Sequence, residues 1–429
     1  MLRDLSVPLF SMLRALDNAM DLVSPALVDH HKRVAYIAAS IAATLGASRG
    51  EQHDLLVAGM LHDIGALSLR ERLVTLRFEE PDLQLHAERG YALLAGFELL
   101  PGFAPFASVA PLIRFHHLPW QDGLGARSRG GDVPAGSHIL HLADRVAVLL
   151  DTDRPPLVQA QEITEQIAEH AGSVFVPELV RAFQTLATKE YFWLDAASPS
   201  LDLVLARWIR GATVDLDLAG LSALSRLFSE IIDFRSPFTA AHSSGVAATA
   251  EALAAMMGFS ETECRTMRIA GGLHDLGKLA VPVEILEKPG PLTAGEYRIV
   301  KTHTYYTYRV LESIPGLETI NQWGAYHHER LDGNGYPFHL AAADLPLGSR
   351  IVAVADTFAA LTEDRPYRKG MAPEDALALV REKVQENALD GSVVAKLESH
   401  FAEVNALRQA AQAEAARQFA QIREALGAP

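Results

Sequence analysis

Residues 327–337 read HHERLDGNGYP, which places His327, His328, Glu329 and Asp332 within six positions. Imidazoles and carboxylates are the side chains that bind or orient a transition metal. A second run, LHDLGK from Leu273 to Lys278, sets His274 beside Asp275. Neighbouring residues on a helix project about 100° apart, so one imidazole can take one cation while the adjacent carboxylate reaches between two. Two cations a few ångströms apart are the working arrangement of two-metal hydrolases. A third run, from Asp356 to Arg368, reads DTFAALTEDRPYR. Its Arg365 and Arg368 are three apart, neighbours if that stretch is helical, and the guanidinium fork suits phosphate. The chemistry these runs point to is metal-assisted hydrolysis of a phosphate ester.

Taken singly, each residue has a plainer explanation. His303 in KTHTYYTY could be a solvated helix residue, Asp356 a helix cap, and Lys278 a surface charge. Their joint occurrence outweighs those readings, and for His303 and Asp356 so does the duplication of every ligand type in the other half.

The elements that must position these groups are helical. After His242, Val246, Ala250, Leu253 and Met257 recur at steps of three or four, predicting an amphipathic helix. Val34, Ile37, Ile41 and Leu45 repeat the stripe after His30. Alternating strand patterns are scarce, and the apolar run Ile351 to Ala355 continues as helix through Asp356.

The chain is an internal repeat. At an offset of 212, with no gap, Asp21, His30, Val34, Ala35, His62, Asp63 and Gly65 fall on Asp233, His242, Val246, Ala247, His274, Asp275 and Gly277. With small gaps, His86 meets His303, His116-His117 meets His327-His328, and Asp144 meets Asp356. The expected organisation is a first domain over 1–190, a connector over 191–225 with a helix near Leu201 to Arg210, a second domain over 226–408, and a C-terminal helix over 409–429. That last segment, rich in Ala, Gln, Glu and Arg, reads as an exposed or self-pairing helix.

Composition narrows the function. The chain has 429 residues, enough for two cores, and is 49% hydrophobic and 21% charged, the profile of a globular protein. A net charge of −15 argues against a broad DNA- or RNA-coating surface. It does not exclude a small anionic ligand held in a local positive pocket. Uncharged stretches such as Val34 to Ser48 reach only 15 residues, short of the roughly 20 that a membrane span needs. Charges near the N-terminus argue against a secretory leader, and the single cysteine, Cys264, fits a reducing compartment. The expected location is the cytoplasm.

Taken together, HHERLDGNGYP, LHDLGK and DTFAALTEDRPYR resemble, in order and spacing, the HD-GYP family of metal-dependent cyclic-dinucleotide phosphodiesterases. The resemblance implies an all-α fold of two tandem HD-domain helical bundles, the first copy degenerate. It implies two divalent transition metals, iron or manganese. His242, His274, Asp275 and Asp356 would hold the first; Asp275, His303, His327 and His328 would hold the second. Asp275 and Lys278 would be catalytic, and Lys278, Tyr336, Arg365 and Arg368 would bind substrate. Glu329 and Asp332 would orient the loop rather than bind metal. Hydroxide held by the metals would attack phosphorus in line while Lys278 neutralises developing charge.

The implied reaction converts cyclic di-GMP to linear pGpG, with slower cleavage to GMP. Two alternatives stand beside it: a 3′,3′-cyclic GMP-AMP phosphodiesterase, and a non-catalytic metal-containing adaptor that binds a signalling protein through the GYP loop. A homodimer is compatible with the sequence. Some family members hold a third metal with a glutamate four residues before the first histidine; Phe238 stands there, so two metals are expected.

The first half keeps the ligand types in His30, His62, Asp63, His86, His116, His117 and Asp144 but loses other parts. Ala66 replaces Lys278, Leu157 replaces Arg368, and HHLPWQDGLGA replaces HHERLDGNGYP, leaving Arg154 opposite Arg365. The expectation is little or no phosphodiesterase activity there, with a structural role favoured over a regulatory one.

Overall fold

The computed structural model describes residues 5–425 apart from 23, 67, 79–83, 96–105, 129–130, 210–213, 234–240 and 365–368. Phe238, Arg365 and Arg368 therefore lie outside the described residues. The chain is all-α, as expected. Strand pairing among the described residues is confined to two short ladders, Val7–Pro8 against Asp215–Leu216 and Arg127–Ser128 against Gly131–Asp132.

Two compact units form, Ser24–Val214 and a second made of Met1–Val23 with Asp215–Pro429. Packing thus groups the chain differently from the repeat at its start. The helix Leu9–Asp21 contacts the turn Leu276–Ala280 and the helix Ala294–Glu312 of the C-terminal unit. The helix foreseen in the connector is present as Leu201–Ile209. With Glu190–Ala196 it belongs to the first unit, where Phe192 stacks on Tyr36 and Trp193 meets Phe183.

In each unit the repeat builds the same pair of crossing helices. Ser48 and Glu51 form a capping box that starts Arg49–Leu61; Ser260 and Glu263 do the same for Glu261–Leu273. Such a box satisfies orphan amides and stabilises by about 1 kcal/mol. Each capped helix crosses the helix carrying the first histidine, His30–Thr44 or His242–Met256. At the crossings a Cβ on Gly59 would lie 2.4 Å from the Ala35 Cα, and one on Gly271 2.9 Å from the Ala247 Cα. Only glycine permits that approach.

Those close crossings correct the amphipathic reading. His30–Thr44 is buried from His30 to Ala42, and His242–Met256 is buried at eleven of its fifteen positions. Both are central helices covered over most of their surface, and their alanines, glycines and small polar residues let neighbours come near. A second correction concerns the C-terminus. The helix Phe401–Ala425 is largely exposed, as expected, but one face packs along His242–Met256 with Val404 and Arg408 buried.

Candidate metal centre

The expected ligands of the second half come from five places, four of them the start of His242–Met256, the end of Glu261–Leu273, the middle of Ala294–Glu312, and the residues following Glu318–Ala325. Asp356 projects from Leu347–Thr362. The His274-Asp275 pair does not sit inside a helix as foreseen. Helix Glu261–Leu273 ends at His274, and Asp275 has φ −100° and ψ 11°, outside helical geometry. The chain then turns tightly because Gly277 passes against the neighbouring helix, where a Cβ would meet the His303 carbonyl oxygen at 2.0 Å.

The structure brings all seven together, and Asp275 lies between two groups. Its Oδ2 is 3.1 Å from His274 Nε2 and 3.7 Å from His242 Nε2. Its Oδ1 is 3.3 Å from His303 Nε2 and 3.9 Å from His327 Nε2. Asp356 Oδ1 lies 3.2 Å from His242 Nε2 and 3.8 Å from His274 Nε2. The His328 ring is 5.2 Å from that of His303, and His303, His327 and His328 present their nitrogens to one point.

Hydrogen bonding fixes which nitrogens face inward. His274, His303 and His327 each direct Nδ1 at a backbone carbonyl, of Gly271, Val300 and Gly324, at 2.7, 2.6 and 2.7 Å. A carbonyl only accepts, so Nδ1 carries the proton and Nε2 offers a bare lone pair. His274 Nε2 and Asp275 Oδ1 are buried and hydrogen-bond to no described residue. Burial keeps three of the imidazoles neutral, lowering His303 to about 3 and His327 and His328 below the usual range. Burial alone would raise Asp275 and Asp356, but the surrounding imidazoles, with Lys278 beside Asp275, hold both carboxyls well below it. Neutral imidazoles and ionised carboxylates converging in a buried space, with acceptor facing acceptor, are a donor set that a divalent transition ion fits.

Lys278 lies in the turn Leu276–Ala280, with Nζ 2.5 Å from Asp275 Oδ2 and its side chain 18% exposed. Glu329 accepts the Phe338 and Leu340 amides at 2.6 and 3.0 Å, and Asp332 accepts from Arg330 and the Asn334 amide. Both carboxylates therefore brace the loop. Tyr336, preceding a cis proline, has its ring 4.9 Å from that of His328.

Three groups escaped the sequence reading. Glu363 accepts from His242 Nδ1 at 2.8 Å, and Gln412 of the C-terminal helix donates to Glu363 at 2.5 Å. Lys301 places Nζ 4.6 Å above the Tyr336 ring. Glu363 had one readable signal, since its counterpart in the first half is Thr152. Gln412 had none.

Comparison with known proteins places this geometry. The HD domain profile matches residues 226–393 and again 27–149. The 3′3′-cGAMP-specific phosphodiesterase 1 of Vibrio cholerae is 32% identical over 388 residues, spanning 87% of this chain and 88% of that one. The chain belongs to the HD-GYP family. Phosphodiesterase 3 of the same specificity and organism is 28% identical over 91% of this chain and 94% of its own. The crystal structure of Vibrio cholerae V-cGAP3 superposes with a TM-score of 0.63 at 26% identity, covering 92% of this chain and 98% of that one. The response regulator RpfG of Xanthomonas campestris, a cyclic di-GMP phosphodiesterase, is 41% identical over 36% of this chain and 41% of its own. No helix among the described residues of this HD-GYP protein is long and apolar enough to cross a membrane.

Proposed function

We propose that the C-terminal half hydrolyses a phosphodiester bond of a cyclic dinucleotide, with 3′,3′-cyclic GMP-AMP as its substrate. The observation that carries the reaction is the two-sided Asp275, one oxygen toward His242 and His274 and the other toward His303 and His327. The substrate reading rests on extent. Two relatives named for 3′3′-cGAMP match over 87% and 91% of the chain and a third over 32%, whereas RpfG, named for cyclic di-GMP, matches over 36%. Cyclic di-GMP is the second reading.

His242, His274, Asp275 and Asp356 would hold one divalent cation and Asp275, His303, His327 and His328 another; the donor set suits iron, manganese, zinc or cobalt, and the family resemblance favours iron or manganese. Two such cations would supply Lewis-acid charge and lower the pKa of bound water enough that hydroxide is available to attack phosphorus. The residues of the chain position the ester. Lys278 is part-exposed beside Asp275, where its ammonium can meet a non-bridging oxygen and stabilise the charge that develops there. Tyr336 and Lys301 form a lip next to His328 against which the dinucleotide packs. Arg365 and Arg368 follow in the sequence as further phosphate contacts. The proposed main product is the linear dinucleotide.

The test is anaerobic purification, loading with manganese or ferrous iron, and chromatography of products from both cyclic dinucleotides. Faster turnover of cyclic GMP-AMP is expected. Metal bound with neither substrate cleaved would overturn the reading in favour of an adaptor.

A further inference from the structure

We propose that the N-terminal half carries a metal centre of its own, closed to substrate and structural in role. Asp63, His86, His116 and His117 present four ligand atoms within 4.8 Å of one another, and His30, His62 and Asp144 present three more. His86 Nε2 is 3.1 Å from Asp63 Oδ1 and 3.0 Å from His117 Nε2. His62 and His116 turn Nδ1 to the carbonyls of Gly59 and Ile113, at 2.8 and 2.6 Å, so their Nε2 lone pairs face inward toward carboxylate oxygens. His30 Nε2, His62 Nε2, Asp63 Oδ1 and Asp144 Oδ1 are buried and hydrogen-bond to no described residue. Acceptors crowded against acceptors in a dry space repel unless a cation lies between them. Imidazole-rich ligation with a carboxylate selects a divalent transition ion.

The closure comes from residues with no equivalent in the other half. Where Lys278 meets the Asp275 carboxylate, Ala66 has nothing to offer, and Asp63 Oδ2 instead accepts the Thr75 hydroxyl at 2.8 Å. Arg145, whose counterpart is Thr357, is fully buried and grips Asp144 Oδ2 at 2.6 Å. The same guanidinium donates to the carbonyls of Thr75, Arg77 and Phe78. This strap ties residues 75–78 across the two carboxylates and leaves the Asp144 side chain 1% exposed, against 12% for Asp356.

The experiment uses the full chain with His242, Asp275 and His303 replaced by alanine, which takes two ligands from each C-terminal cation site, loaded with Co(II), whose visible absorption reports imidazole ligation. Bound cobalt with imidazole bands is expected, and both should vanish when His30→Ala, His62→Ala, His86→Ala and His116→Ala are added. Absence of bound cobalt in the triple variant, by elemental analysis, would overturn the proposal without recourse to the second set. Thr75→Val and Arg145→Gln, made separately in the triple variant, should speed extraction by EDTA roughly tenfold or more. Unchanged extraction in both would overturn the closure.

Discussion

Glu363 accepts the Nδ1 proton of His242 at 2.8 Å while its other oxygen takes the Gln412 amide at 2.5 Å. Through this chain a residue of the last helix bears on a candidate metal ligand 170 positions earlier in sequence. Carboxylates in that position fix ring orientation and raise ligand basicity. Glu363→Gln should lower manganese affinity about 10- to 100-fold, measured by competition with a chelator, and Gln412→Ala should have a smaller effect in the same direction.

Lys278→Met should leave metal content unchanged in elemental analysis and reduce kcat/KM. Losing one charge contact to the transition state costs on the order of 2 to 4 kcal/mol, roughly 30- to 1000-fold. A matching loss of bound metal would instead assign Lys278 to holding Asp275 in place.

Gly277→Ala should disrupt the centre at a distance from any ligand atom. The added methyl would sit 2.0 Å from the His303 carbonyl oxygen, and that backbone, in mid-helix, cannot yield cheaply. Overpacking of this kind costs about 1 to 3 kcal/mol or more. A lower melting temperature and weakened metal retention are the expected results.

The metal-free protein should lose stability as pH falls below 6.5. Burial lowers His30 and His116 to about 4 and His31, His141 and His303 to about 3. Unfolded, these rings take up protons near 6.5; folded, they do not, so acid favours the unfolded chain. Each ring costs about 1.4 kcal/mol per pH unit across that window. The carboxylates Asp63, Asp144, Asp275 and Asp356 are held low and stay ionised there. Melting curves of chelator-treated protein from pH 7.5 to 5 check this; a flat profile would contradict it.

Much of the site could be read from the sequence because metal chemistry restricts residue types and the repeat displays each type twice. His303 in KTHTYYTY is unremarkable alone and distinctive beside His86. What could not be read depends on packing. The helix Glu261–Leu273 ends at His274 because Gly277 must slip past the His303 carbonyl, a contact between segments 26 residues apart. The burial of most of His242–Met256 follows from what covers it, including the C-terminal helix, and periodicity sees only one helix at a time. Gln412 lies in a run of Ala, Gln and Glu that reads as solvent-facing, and only docking against Gly245 turns it inward. The placement of Leu9–Asp21 in the C-terminal unit breaks the order of the repeat, so no comparison of the halves could have shown it.

The capped helices also act as rulers. From Ser260 to His274 the count is fixed, as it is from Ser48 to His62, because the serine anchors one end and the cation site needs the other. A single inserted residue would swing the imidazole through about 100°, away from its partners. Descendants of this duplication can therefore drift in side chains along that span, but a change in its length would be fatal.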